Sequence, residues 1–258
     1  MAPDSARDKL SAGTALNAVS FPPLSRLTAG LMVVAVLGFL LPFGYLLVGL
    51  HFTDQPAAVS FDLFHHNSGA ISLAYYLLAL DGLLVMFVVV LLYRLLAGRT
   101  NLTLLVAALS GVVGGLMQTI GDLRWPFLLP TLTHAYFASD VTPVAQQSLS
   151  FIFQAVDQLL GVVLSEHLYY LFMGLWTLLI GWHLTRSVLV TPWLGWLGYG
   201  TGIAFLVCSV EQFDLPTVAG TVLLVVVLLS RITWSIWMLL LATSVFRATA
   251  TSDAVASR

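Results

Sequence analysis

The chain has 258 residues, of which 59% are hydrophobic and 9% charged, and its mean hydropathy is +0.96. Soluble domains carry roughly 45–50% apolar residues, so this composition excludes an ordinary water-soluble fold. A formal net charge of −2 offers no basic field for nucleic acid, and the single cysteine, Cys208, excludes an internal disulfide and a cysteine-rich metal cluster.

A hydrocarbon core about 30 Å thick needs about 20 apolar residues per helix. Apolar runs of that length recur along the chain and do not alternate, which excludes a β-barrel. The expected fold class is all-α: an integral membrane helical bundle with six transmembrane helices (seven as the alternative) and an outer interfacial helix or loop.

In chain order, residues 1–26 read as a polar, Ala- and Ser-rich tail ending near Pro22 and Pro23. Leu27–Leu50 is the first span, too long for a signal-peptide core, with Pro42 placed to kink it. His51–Gly69 reads as a loop holding Asp54, Asp62 and the pair His65 and His66. Ala70–Tyr93 is the second span, and a short loop carries Arg94 and Arg99. Leu102–Ile120 is the third, with Gly111 and Gly115 at the spacing of close helix contacts.

Gly121–Ala145 reads as a special loop. Its first part, GDLRWPFLLPTLTHAYF, concentrates Asp122, Arg124, Trp125, Pro126, Pro130 and His134 between apolar segments. Gln146–Ser165 carries a polar stripe of Gln147, Ser150, Gln154, Asp157, Gly161 and Ser165 at helical spacing. It reads as an interfacial or semi-buried helix, so that 121–165 is one interfacial region; a seventh span is the alternative. Leu168–Ser187 is the fourth span and Trp193–Glu211 the fifth, with Gly198 and Gly202. An acidic loop closed by Pro216 leads to the sixth, Ala219–Phe246, and a polar tail, Arg247–Arg258. The membrane domain is therefore 27–246.

Six spans put Arg7, Lys9, Arg26, Arg94, Arg99, Arg186, Arg247 and Arg258 on one side, and leave Arg124 in an opposite-side loop. The positive-inside rule then places both termini in the cytoplasm, with the bacterial plasma (inner) membrane as the expected location. Asp54, Asp62, Asp122, Asp140, Asp157, Glu166, Glu211 and Asp214 collect outside.

Three stretches together carry a resemblance: GDLRWPFLLPTLTHAYF, LSEHLYYLFMGLWTLLIGWHLTRS and TPWLGWLGYGTGIAFL. They resemble a bacterial multi-pass family known as domain of unknown function 4386. The third looks like that family's Pro-Arg-Trp-Leu-Gly stretch, but Thr191-Pro192-Trp193 lacks the arginine, so no role of that arginine carries over. The resemblance is good over Gly111–Glu211 and weak in the N-terminal third. It implies a six- or seven-helix membrane fold and no particular activity.

Among chemistry-bearing residues, Asp81 and Arg231 lie midway along the second and sixth spans. At about 1.5 Å per residue both reach roughly 17 Å from the outer boundary. A lone charge at that depth costs at least about 2.5–3.5 kcal/mol, so the two are expected to meet. The rest of the candidate polar site is Gln118, Asp122, Arg124, His134, Asp157, Glu166 and Glu211. His51, His65, His66, His134 and His167 lie outside near carboxylates, yet without metal-ligand spacing such as HxxxH, so no metal or other cofactor is expected. Lys9, the only lysine, lies in the tail and excludes a Schiff base within the bundle.

The leading functional expectation is a protein that binds or moves a small amphipathic ligand, or serves as an accessory membrane subunit. A membrane-embedded hydrolase or transferase using outer histidines and carboxylates is the second reading, and a purely structural or assembly role the third. The expected partners are the lipid bilayer, a small amphipathic molecule, and a second copy or another membrane protein.

Overall fold

The computed structural model describes residues 22–50, 56–96, 101–187, 190–210 and 217–256. Among the described residues every regular element is a helix and there is no strand. Helix α1 spans Pro22–Gly44 and runs on as a π-helical turn, Tyr45–Gly49; α2 spans Ala57–Leu96, α3 Leu102–Phe127 and α4 Leu129–Tyr136. Helix α5, Pro143–Val156, passes through a π-helical segment, Asp157–Leu168, into α6, Tyr169–Leu184. Pro192–Cys208 forms α7 and Thr217–Ala256 forms α8.

Five stretches are long and apolar enough to cross a membrane: Leu24–Gly49, Ala57–Leu96, Leu102–Tyr136, Pro143–Leu184 and Val225–Arg247. Helix α7 has 17 residues, roughly 25 Å of helix at 1.5 Å per residue, and is shorter than any of these five stretches. Large apolar side chains face outward on every long helix, among them Leu41, Phe87, Leu109, Trp193 and Ile232. An exterior of that kind suits lipid rather than water.

Successive helices pack as neighbours around a ring. Helix α1 packs on α2, α2 on α3, α3 on α6, α6 on α7, α7 on α8, and α8 returns to α1. With little hydrophobic drive between helices in lipid, close van der Waals contact has to hold them. Glycines supply it. A Cβ on Gly82 would lie 2.7 Å from the Gly115 carbonyl oxygen, and a Cβ on Gly115 2.7 Å from that of Gly82, so α2 and α3 touch backbone to backbone. Gly181 and Gly202 do the same for α6 and α7. The two GxxxG neighbourhoods do not pack on each other: Gly111 abuts Val89 and Trp176, and Gly198 abuts Trp237.

Two expected loops are helical. His51–Gly69 read as loop because of its histidines and aspartates, but α2 begins at Ala57 and bends at Asn67 (φ −130°, ψ 24°). Phe61 and Phe64 are buried there, and Phe61 packs on Tyr136 and Phe153, so apolar contacts outweigh the polar composition. Gly121–Tyr136 is also helix, interrupted only at Leu128. A proline removes one backbone donor, and Pro126 and Pro130 fall at the end of α3 and the start of α4, where the interruption absorbs them. The stretch lies against the Gln146–Ser165 helix, and that helix is continuous with α6: Pro143–Leu184 is a single run of 42 residues. Asn101 and Thr142 cap α3 and α5 by accepting from the backbone amides of Leu104 and Ala145.

The buried side chains form two apolar clusters. The larger centres on Met32, Val88, Met173, Trp176, Phe205, Trp237 and Leu241. The smaller holds Phe39, Leu46, Phe61, Phe64, Ile71, Trp125, Leu129 and Phe153. Along α2, Leu78 belongs to the smaller and Val85 to the larger; along α3, Ala108 belongs to the larger and Trp125 to the smaller. Between them, in each helix, lie the polar residues Asp81, Gln118, Thr119 and Asp122.

Candidate functional site

The intervening polar layer is built from α2, α3, the π segment, α6 and α8. Helix α3 ties itself to α2 through side chains: Gln118 Nε2 donates to the Leu78 carbonyl (3.0 Å), and Thr119 Oγ1 lies 3.1 Å from the Ala79 carbonyl and 2.9 Å from that of Gly115. Asp81, 5% exposed, sits beside this junction, and its Oδ1 has no hydrogen-bond partner among the described residues. Gly38 of α1 closes over it; a Cβ there would lie 3.1 Å from Oδ1.

One turn beyond Gln118, Asp122 is buried and accepts a long hydrogen bond from Ser165 Oγ (3.4 Å). Arg124 Nε donates to Asp157 Oδ1 at 2.9 Å, and its Nη1 to the Gly121 carbonyl at 2.7 Å. The guanidinium also stacks 4.9 Å from the Trp125 ring centre. Gly161 makes room for it, since a Cβ there would lie 2.5 Å from Arg124 Nη2. Phe153, Asp157, Gly161 and Ser165 recur every four residues. The i→i+5 bonding of the π segment widens the helix and lets that spacing keep facing α3. A π stretch this long is rare, and such departures gather at functional sites.

Arg231 is set differently. Its Nε donates to the Tyr170 hydroxyl (3.0 Å), and its guanidinium carbon lies 4.9 Å from the Phe39 ring centre, 4.5 Å from Tyr169 and 4.7 Å from Tyr170. Three aromatic rings from α1 and α6 thus cage one cation. Asp81, Asp122 and Tyr169 lie within its electrostatic reach. No ion pair joins Arg231 to any carboxylate among the described residues. The expected contact between Asp81 and Arg231 is therefore not made: equal depth brought them to one layer, but the aromatic rings, not the acid, hold the guanidinium.

Gln118, Asp122, Arg124 and Asp157 join Asp81 and Arg231 in the layer. Glu166 is half-buried on the π segment within electrostatic range of Tyr170. His134 is exposed on α4, outside the layer, and Glu211, like His51, lies outside the described residues. His65 and His66 are exposed on α2, and His167 uses its ring Nδ1 on the Ser209 carbonyl. No group of three or more His, Cys, Asp or Glu side chains suited to a metal ion occurs among the described residues.

Sequence reasoning missed Gly38, Phe39, Tyr169 and Tyr170. The adjacent tyrosines at the head of a span were the available signal, and hydropathy hides it because aromatic residues pass there as ordinary apolar ones.

No curated protein and no solved structure matches the chain. The pattern described as Domain of unknown function (DUF4386) matches residues 27–242, almost the whole bundle together with every described residue of the polar layer, and the chain belongs to that family.

Proposed function

We propose that the protein spans a bacterial inner membrane six times, with both termini cytoplasmic, and binds or moves a small amphipathic molecule with an acidic head. Counting α7 with the five long apolar stretches supports six spans. The distribution of arginine between the two sides supports the orientation. The observation that carries the ligand reading is the caged guanidinium. Arg231 has only its Nε engaged in a hydrogen bond among the described residues, which leaves donors on both terminal nitrogens. A guanidinium matches a carboxylate or phosphate through paired N–H groups. The apolar clusters on either side of the layer suit a hydrocarbon tail. The enzyme reading needs several histidines and acids converging; His66 lies 3.7 Å from Asp62 at an exposed position, and His65 and His134 are also exposed.

Native mass spectrometry of the protein in lipid nanodiscs tests the reading, together with thermal unfolding in decanoate or dodecyl phosphate. The expected result is a bound acidic amphipath, or a rise in unfolding temperature with concentration, that Tyr170→Phe weakens and Arg231→Leu abolishes. Wild-type protein with no bound molecule and no stabilisation by either probe would overturn it.

A further inference from the structure

We propose that the polar layer holds one exchangeable monovalent cation, a proton or a sodium ion, on the pair of carboxylates Asp81 and Asp122. The inference rests on reading the layer as a binding site, but it concerns charge rather than the amphipath.

The geometry leaves Asp81 unfinished. Its Oδ1 is buried, faces Gly38 and accepts no hydrogen bond among the described residues. Gln118 is shared between the Leu78 carbonyl and the Asp81 carboxylate, which leaves Oδ1 bare, and Thr119 turns to the carbonyls of Ala79 and Gly115. The groups that bear on Asp81 are Gly38 of α1, Gln118 and Asp122 of α3, Tyr169 of α6 and Arg231 of α8. Only Arg231 among them is a cation, and it is engaged by Tyr170 and the aromatic cage. Arg124 is committed to Asp157 and the Gly121 carbonyl.

The charges do not balance. Asp81, Asp122 and Asp157 face Arg124 and Arg231, so the layer is one positive charge short before Glu166 is counted. Buried charges are normally paired or neutralised. A divalent ion asks for six or more oxygens, or for nitrogen and sulfur ligands, and the described residues gather no such set. One proton, forming an O–H bond on either carboxylate, or one sodium ion with carboxylate and carbonyl oxygens around it, balances these five groups. Two interacting acids then titrate as a unit.

The test is infrared difference spectroscopy of the full chain in sodium-free nanodiscs at neutral pH, with no amphipath added. The expected result is the carbonyl stretch of one protonated carboxyl, absent from both Asp81→Asn and Asp122→Asn, because either change removes the excess charge. Adding sodium chloride, with choline chloride as control, separates the two cations. Sodium binding erases the band and raises the unfolding temperature, and a proton-only site leaves both unchanged until the pH is raised. Asp81→Asn keeps the side chain's size, and its own unfolding temperature reports that it is folded; Asp122→Asn serves if it is not. A wild-type protein with no such band and no difference between sodium and choline would overturn the proposal. So would a band that survives in both asparagine variants. Failure here leaves the acidic-amphipath reading standing, since that is read from bound molecules and from Arg231.

Discussion

The larger apolar cluster and the polar layer lie a turn or two apart on the same helices and solve opposite problems. In the cluster, indoles have partners: Trp234 Nε1 donates to Thr177 Oγ1 (3.1 Å) and Trp237 Nε1 to the Leu194 carbonyl (3.0 Å). Trp176 is the exception, its Nε1 without a partner among the described residues, and it is a neutral group closed in by Gly111. In the layer the buried atom left over belongs to an acid, one oxygen of Asp81. A neutral donor left bare costs about 1–3 kcal/mol, and a charged group costs more. A region that existed only to hold helices together would not keep the costlier omission. The contrast is the one expected if the cluster supplies stability and the layer the proposed ligand chemistry.

The largest expected effect lies in the cluster. Trp237 is fully buried and fills the space that Gly198 leaves. In a soluble core Trp→Ala costs about 3–5 kcal/mol. Lipid weakens the transfer part of that cost, because side chains leave no water, while the cavity and the bare Leu194 carbonyl remain. Trp237→Ala is expected to cost about 3 kcal/mol by reversible unfolding in mixed micelles. A cost under about 1 kcal/mol would mean the cluster collapses freely and does not set stability.

Next comes the ion pair at the edge of the layer. Breaking a buried pair costs about 3–5 kcal/mol because one charge is stranded. The Arg124 side chain is 12% exposed but that of Asp157 is 34% exposed, so water screens part of the loss. Arg124→Leu is expected to cost roughly 1–2 kcal/mol, and Asp157→Leu added to it should recover much of that. If the two changes are simply additive, the pair is not coupled in the membrane and the layer loses one of its two fixed cations.

The third effect is smaller and separates the two regions by kind. Tyr170→Phe removes the hydrogen bond to Arg231 Nε and leaves the ring of the cage in place. The expected loss of stability is about 1 kcal/mol, with a larger proportional loss in stabilisation by decanoate or dodecyl phosphate. A stability loss with unchanged ligand response would make the cage a packing device only.

These residues differ in how far they could be read in advance. Asp81 and Arg231 stood out because charge at mid-span is expensive in lipid, and the two lie within electrostatic reach of each other. Their contact was not legible, since depth fixes height along the bundle and not rotation about each helix. The cage explains the rest: Phe39 and the tyrosines meet Arg231 only because α8 closes the ring onto α1, a pairing no local pattern encodes. The stripe through Asp157, Gly161 and Ser165 was legible as helical, yet its π winding was not, because a spacing of four fits both forms. Prolines and histidines suggested loops at His51–Gly69 and Gly121–Ala145, where buried Phe61, Phe64, Trp125 and Leu129 favour helix instead.

The smallest expected effect belongs to a residue that composition grouped with the site. His134 shares GDLRWPFLLPTLTHAYF with Asp122 and Arg124, and sequence proximity made it a candidate. In the structure it is exposed on α4, while Leu129, Leu132 and Thr133 of the same short helix turn inward. His134 makes no hydrogen bond or ion pair with a layer residue among the described residues. His134→Ala is therefore expected to change stability by less than about 0.5 kcal/mol, as for other surface substitutions. It should also leave the response to acidic amphipaths and to sodium unchanged. A clear loss of either response in this variant would move the site outward to the α4 surface, and the boundary drawn between the layer and its outer cap would be in the wrong place.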